Sequence, residues 1–193
     1  ASSKFGANHK WGFFPSVSAA WNVSSEQFMK QITWIDNLKL RLGYGLAGNQ
    51  GGIDSYTTMN LVRPNGVAPV GNSPVVTYET LRNINPDLKW EVKHTFNAGF
   101  DVGFYGNRLL LSVNYYNSKT TDMLYSYRVS VPPFTYNTLL ANIGSMRNSG
   151  TEISVGITPL KTKDMELNIN ANITFQKNKL LSLNGMYKGE YIS

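Results

Sequence analysis

The sequence predicts an all-β fold built from one antiparallel sheet, and three observations lead to this expectation. Six segments alternate apolar and polar residues with period two, as strands with two unlike faces do. Gly106 and Asn107 lie between two of these segments and form a typical hairpin turn. The longest apolar runs have three or four residues, which excludes a transmembrane helix.

The first two predicted strands cover residues 11–21 and 38–47. In the first, Pro15 is compatible only with an edge, an end or a bulge, because proline has no backbone N–H to donate. Between them, Ser24 and Gln27 have the spacing of a capping box, which predicts a helical turn with Ser24 as its N-cap.

The third and fourth strands cover residues 90–104 and 109–123, and the turn between them predicts their register. Phe104 should lie opposite Leu109, and the apolar pairs Val102/Leu111, Phe100/Val113 and Ala98/Tyr115 should follow. A slip of one residue would destroy every match, so the turn and the hydrophobic pattern agree. His94 alone interrupts the apolar face of the third strand.

The fifth and sixth strands cover residues 151–158 and 166–175. Their apolar residues match if Ile157 lies opposite Leu167 and Ile153 opposite Ala171. Long connections are predicted at residues 48–89 and 124–150, whereas the turns at residues 105–108 and 159–165 are short. Long and short connections therefore fall at opposite ends of the sheet.

Alternation alone is compatible with a β-sandwich or a membrane β-barrel, and secondary features favour the barrel. The apolar faces extend over five to eight positions and carry aromatic residues near their ends, as in interfacial girdles. None of their residues is Lys, Arg, Asp or Glu. Six strands are too few to close around a lumen, so the chain is expected to be a segment of a larger transmembrane barrel. The alternatives are a soluble or surface-attached carbohydrate-binding β-sandwich and a passive porin.

Composition argues against several other classes. The chain has no cysteine, and its net charge of +6 comes from dispersed residues without a Lys/Arg run, so neither a thiolate metal site nor a nucleic-acid-binding stripe is expected. The only histidines are His9 and His94, and the 12 carboxylates are scattered. No catalytic residues, metal site or cofactor site are predicted.

Three motifs carry a resemblance to a known family: FPSVSAAW (residues 14–21), NPDLKWE (85–91) and NIGSMRNSGTE (142–152). With the segments around them, they closely resemble the C-terminal part of the barrel in SusC/RagA-family TonB-dependent transporters, in the same order and over nearly the whole chain. The resemblance implies that residues 1–193 are part of a plugged barrel of about 22 strands, with the plug domain and final strands outside this chain.

The same resemblance implies a function and partners. Such a protein would lie in the outer membrane of a Gram-negative bacterium, in contact with its lipid, and would import oligosaccharides or peptides. A SusD-like surface lipoprotein would cover it as a lid, and the TonB complex would supply energy.

Under this interpretation, the long connections and the residues after Gln176 are external. Tyrosine, arginine and asparagine residues in the long connections are of the types that stack on sugars or form hydrogen bonds with glycans and peptides. The candidate substrate or lid contacts are Tyr56, Arg63, Asn65, Tyr78, Tyr127, Arg128, Tyr136 and Asn137.

Overall fold

A computed structural model describes residues 1–6, 9–183, 185–187 and 190–192, and strands dominate it. One antiparallel sheet of six strands has the order β1-β2-β5-β6-β7-β8, and two separate hairpins are formed by β3 with β4 and by β9 with β10. The predicted all-β antiparallel fold is therefore confirmed. The strands are β1 Ser16–Asn22, β2 Ile35–Asn49, β3 Val62–Val70, β4 Ser73–Thr80, β5 Glu91–Phe104, β6 Leu109–Arg128, β7 Thr138–Lys161, β8 Glu166–Ser182, β9 Gly185–Tyr187 and β10 Glu190–Ile192.

The β5–β6 hairpin has the predicted register. Phe104 lies opposite Leu109, and the three other predicted apolar pairs follow along the ladder. The turn needs unusual backbone angles, because Tyr105, Gly106 and Asn107 have φ values of 54°, 69° and 58°. Glycine and asparagine tolerate this left-handed region better than other residues, which explains their presence here.

The predicted register of β7 and β8 is wrong by two residues. Ile157 lies opposite Ile169 instead of Leu167, and Ile153 lies opposite Ile173. An extra residue in β7 between Ile157 and Leu160 forms a bulge, which the sequence pattern did not reveal. Because a shift of two residues preserves the face of every side chain, apolar residues still lie opposite apolar residues.

Several strand ends also differ from the prediction. β1 begins only after Pro15, whose carbonyl accepts a bond from the Leu46 N–H at 3.0 Å. β6 and β7 extend far into the predicted connection 124–150, so that only residues 129–137 separate them. β8 likewise continues beyond Phe175 to Ser182. Backbone pairing extends these strands where the alternation of side chains is no longer regular.

The connection between β1 and β2 contains two short 3₁₀ turns, Val23–Ser25 and Gln27–Met29. The predicted helical turn is present, but the capping box is not. Asn22 occupies the N-cap of the first turn without a side-chain bond, and Ser24 lies inside the turn. No helix in the described part of the chain is long and apolar enough to cross a membrane.

The apolar face of the sheet is largely uncovered, although Val102 is buried between its neighbours, and most of the buried core lies elsewhere. On β8, Leu167, Ile169, Ile173 and Phe175 keep 49% to 59% of their surface exposed. No second large sheet covers them within the described ranges, where the other two sheets are two-stranded hairpins. The largest buried cluster instead lies at the end with the long connections, where Phe5, Ile53 and Leu88 pack against Trp90, Leu124 and Leu140.

Candidate functional site

The centre of the polar face holds a network of charged and polar side chains on β2, β5 and β6. Arg41 Nε lies 2.8 Å from Asp101 Oδ2, and Arg41 Nη2 donates to Asp101 Oδ1 at 2.9 Å and to Asn114 Oδ1 at 2.8 Å. Ser112 Oγ also donates to Asp101 Oδ1 at 2.7 Å. We call Arg41, Asp101, Ser112 and Asn114 the central network. Its charged pair is about one-third exposed, so it combines a fixed geometry with access to solvent.

Gly99 makes this network possible. The register places Arg41, Gly99 and Asn114 side by side in one row across three strands. A Cβ on Gly99 would collide with Asn114 Oδ1 and would approach the Val113 carbonyl oxygen to 2.9 Å. The absence of a side chain therefore lets the Arg41 guanidinium cross the middle strand and reach Asn114.

Two shallow hollows flank the central network on this polar face. One, of about 310 Å³, lies towards the short connections and includes Gly103, Gly156, Asn170 and Asn172 in its lining. The other, of about 330 Å³, lies towards the long connections, beside Ser16, Ser18, Gly43, Gly45 and Asn97. Small and amide side chains leave this face open and supply many hydrogen-bond donors and acceptors.

Two asparagines hold together the end of the sheet that carries the long connections, which we call the rim. Asn142 accepts a bond from the Lys89 N–H at 3.0 Å and donates to the carbonyls of Lys89 at 2.7 Å and Asp122 at 2.9 Å. Asn85 is 3% exposed and donates to the Leu140 carbonyl at 2.9 Å. These side chains tie residues 85–90 to β6 and β7, and an ion pair of 2.8 Å between Lys89 Nζ and Asp122 Oδ1 adds a further link.

A cleft of about 730 Å³ opens at the rim, between the N-terminal segment and residues 55–59. Its lining includes the basic residues Lys4, His9 and Lys10, the exposed ring of Tyr56 and the carboxylate of Asp87. Lys4 Nζ donates to the Ile53 carbonyl at 2.7 Å, which fixes one wall of the cleft. Among the predicted contact residues, only Tyr56 lies in this cleft.

Three other predicted contact residues lie together on the β3–β4 hairpin. Arg63 Nε and Asn65 Nδ2 bind the two oxygens of Glu79 at 2.5 Å and 2.8 Å. Tyr78 lies opposite Pro64 and is 64% exposed. The hairpin thus presents an aromatic ring beside an arginine whose charge is already paired.

The remaining predicted residues lie at or near the β6–β7 tip, and they differ in exposure. Tyr127 is 1% exposed and packs with Ala141, so its ring stabilises the rim and offers no surface to a ligand. Burial raises the pKa of its hydroxyl. The Tyr136 hydroxyl donates to the Thr80 carbonyl. Arg128 and Asn137 are exposed.

Sequence reasoning missed the residues that position these contacts. Asn83 Oδ1 accepts from the N–H groups of Thr135 and Tyr136, while its Nδ2 donates to the carbonyls of Tyr136 and Thr138. The structural roles of Asn85 and Asn142 were not predicted either, although both lie inside the motifs that carry the family resemblance. Arg41 and Asp101 could have been found as opposite charges on the same face of the sheet.

Within the described residues, no three His, Asp or Glu side chains come together to hold a metal ion. The chemistry available is hydrogen bonding on the polar face, and ring stacking with charge recognition at the rim.

Comparisons with known proteins agree with this architecture. The family model described as "TonB dependent receptor-like, beta-barrel" matches residues 1–193. The TonB-dependent receptor SusC of Bacteroides thetaiotaomicron is 35% identical over 98% of the chain, which covers 19% of SusC. The TonB-dependent receptor P26 of Formosa agariphila is also 35% identical, over 96% of the chain and 18% of that receptor.

Solved structures show the same relationship. The structure of the RagAB peptide transporter matches 94% of the chain with a TM-score of 0.79 and 29% identity. The "open-open" state of the RagAB peptide importer matches 96% with a TM-score of 0.83 and 28% identity. The chain covers 19% and 20% of those two solved chains, so it spans about a fifth of the length of its relatives.

Proposed function

Because the chain belongs to the TonB-dependent receptor-like β-barrel family, we propose that it forms part of the wall of an outer-membrane transporter that imports large nutrients. The observation that carries this proposal is the bare apolar face beside a hydrogen-bonded polar face. In a soluble sheet the apolar face would be covered, whereas in a membrane barrel lipid covers it and water fills the lumen.

The proposed orientation follows from the two faces and the two ends. The polar face, with the central network and its two hollows, lines the lumen beside the plug. The short connections lie in the periplasm, and the rim lies outside the cell, where outer-membrane barrels have their long loops. A substrate would therefore meet the rim first and the central network later.

We propose that the imported nutrient is an oligosaccharide or a peptide. The names of the relatives support a non-enzymatic transport role, and two of the matching structures are of a peptide transporter or importer. The chemistry of the rim is consistent with either substrate, since the cleft combines amines with aromatic surface. The proposed contacts with substrate or lid are Tyr56, Arg63, Asn65, Tyr78, Arg128, Tyr136 and Asn137, and Tyr127 is assigned to packing instead.

Two partners complete the proposed mechanism. A SusD-like lipoprotein would close over the rim as a lid, and the TonB complex would act on the plug to open the lumen. Residues 1–193 contribute the wall against which the plug rests. The energy step acts on parts of the protein outside this wall segment.

The test is import by cells that carry the full-length receptor. We expect uptake of a labelled oligosaccharide or peptide pool to require the receptor and to fall to background when TonB is deleted. Uptake that persists without TonB would favour the passive porin, and receptor recovered in the soluble fraction would favour the carbohydrate-binding sandwich.

A further inference from the structure

A row of cations crosses the apolar face at the end nearest the rim. The strand register places Lys119 of β6 opposite Arg147 of β7, and Arg147 opposite Lys179 of β8. Lys177 lies on the same face, one step closer to the apolar residues and opposite Ser149. All four side chains are exposed. We call these four residues the basic row.

In the part of the chain that the structure describes, the basic row has no counter-charge on its own face. Among the carboxylates of β1, β2 and β5 to β8, Glu91, Asp101, Glu152 and Glu166 lie on the polar face. Asp36 lies at the other end of the sheet, where it accepts a bond from the Asn107 N–H, and Asp122 pairs with Lys89. The ion pairs found in the described ranges use Arg41, Arg63, Lys89 and Lys161. Within those ranges, the four cations of the basic row therefore have no ion-pair partner.

The position of the row matches the level of lipid headgroups. On β5 the apolar face is uninterrupted from Phe96 to Phe104, which is close to the ~9 to 11 residues that cross a bilayer, and His94 interrupts it opposite Lys119. The basic row begins where this apolar band ends, on the side of the long connections. Just beyond it, the register shifts by one extra residue in β6 after Thr120 and by one in β8 after Leu180.

The side chains around the row suggest the kind of headgroup. Adjacent strands lie ~4.8 Å apart, so Lys119, Arg147 and Lys179 span ~10 Å and can bind more than one phosphate. Arg147, in the middle, can donate two parallel bonds to one phosphate. Asn117 and Ser149 lie level with Lys177, next to the apolar band, and can form hydrogen bonds with sugar hydroxyls or amides.

We propose that the basic row binds a phosphorylated glycolipid of the outer leaflet, with its phosphates on the cations and its acyl chains along the apolar band. The inference rests on the proposed function, because it requires this face to lie in a membrane. Such a site would give the barrel a specific anionic ligand and would fix the depth at which the barrel lies in the outer leaflet.

The experiment uses the purified full-length receptor and lipid A as the probe, with bound lipid counted by native mass spectrometry. The test variant is K119Q/R147Q/K177Q/K179Q. The matched control is K30Q/R108Q/K161Q/K163Q, which removes the same residue types from exposed positions at the other end of the sheet. Because every basic residue near an anionic surface adds to binding, we expect at least a ~10-fold loss in the test variant and less than a ~2-fold loss in the control.

Further arms keep the test decisive if the quadruple variant fails to fold. The variant K119R/K177R/K179R retains the charges and should bind lipid A like the wild type, and dephosphorylated lipid A should bind the wild type at least ~10-fold more weakly. Equal losses in test and control variants, equal binding of the dephosphorylated lipid, or complete displacement of lipid A by inorganic phosphate at equal concentration would each overturn the inference. These results come from receptor purified from the outer membrane, so they are distinct from failure of the proposed function, in which the receptor would be absent from that membrane.

Discussion

The wall and the rim of this protein are stabilised in different ways. In the wall, six strands pair in register while their apolar face remains bare, so the surroundings must cover that face. At the rim, buried residues such as Phe5 and Leu88 form an ordinary core, and asparagine side chains hold the connecting segments. The stability of the wall therefore depends on the medium that covers its apolar face, whereas the stability of the rim depends on contacts within the protein. Variants in the two regions should therefore fail differently.

The largest effect is expected from a charge on the apolar face of the wall. Ile173→Lys should lower the free energy of unfolding of the barrel by ~2 to 4 kcal/mol, because lysine near mid-depth in a bilayer is costly. Asn172→Lys, one residue away on the polar face, is the matched control and should cost less than ~1 kcal/mol. The measurement is urea unfolding of the full-length receptor in lipid bilayers. Equal losses of unfolding free energy in the two variants would contradict the assignment of one face to lipid and the other to the lumen.

Removing an organising asparagine should give the next largest effect. Asn142→Ala breaks bonds to both backbone groups of Lys89 and should lower the local free energy of opening of residues 85–90 by ~1 to 3 kcal/mol. Hydrogen exchange at residues 85–90 measures this opening, and the amides of β8 should remain as protected as in the wild type. Asn170→Ala on the exposed wall is the control. Faster exchange throughout the wall would contradict the separation of wall and rim.

The ion pair of the central network should contribute less to stability than the features changed in the two preceding tests. Because Arg41 and Asp101 are about one-third exposed, solvent screens their attraction, and their coupling energy should be ~0.2 to 1 kcal/mol. A double-mutant cycle with Arg41→Gln and Asp101→Asn at low and high salt measures it, and the coupling should decrease with salt. A coupling above ~3 kcal/mol that is independent of salt would mean that the pair is shielded from water in the intact receptor.

The smallest effect on stability is expected on the β3–β4 hairpin. Tyr78→Ala should change the free energy of unfolding by less than ~0.5 kcal/mol, since the ring is largely exposed. Uptake should nevertheless fall if the ring contacts substrate or lid, whereas Val70→Ala at the hairpin tip should leave uptake unchanged. Normal uptake by Tyr78→Ala would remove this residue from the proposed contacts.

The sequence predicted the wall far better than the rim. Strand pairing in the wall follows a local alternation of residues, whereas the contacts at the rim join distant segments. Alternation and a tight turn determine the β5–β6 register, because any odd slip would exchange the two faces. The β7–β8 register escaped prediction because a shift of two residues leaves the faces unchanged, and the alternation does not mark the single extra residue after Ile157. At the rim, the burial of Tyr127 and the bonds of Asn83 depend on segments far apart in sequence, and no local pattern marks such contacts.

The most direct test of the account asks what covers the apolar face of β8. Single cysteines at positions 169, 170, 172 and 173 of the full-length receptor in a bilayer would carry a spin label, and accessibility to oxygen and to a water-soluble nickel complex would be measured for each. We predict that labels at Ile169 and Ile173 meet mainly oxygen, as in lipid, and that labels at Asn170 and Asn172 meet the nickel complex. Labels at Ile169 and Ile173 that are shielded from both reagents would show protein covering this face and would contradict the account.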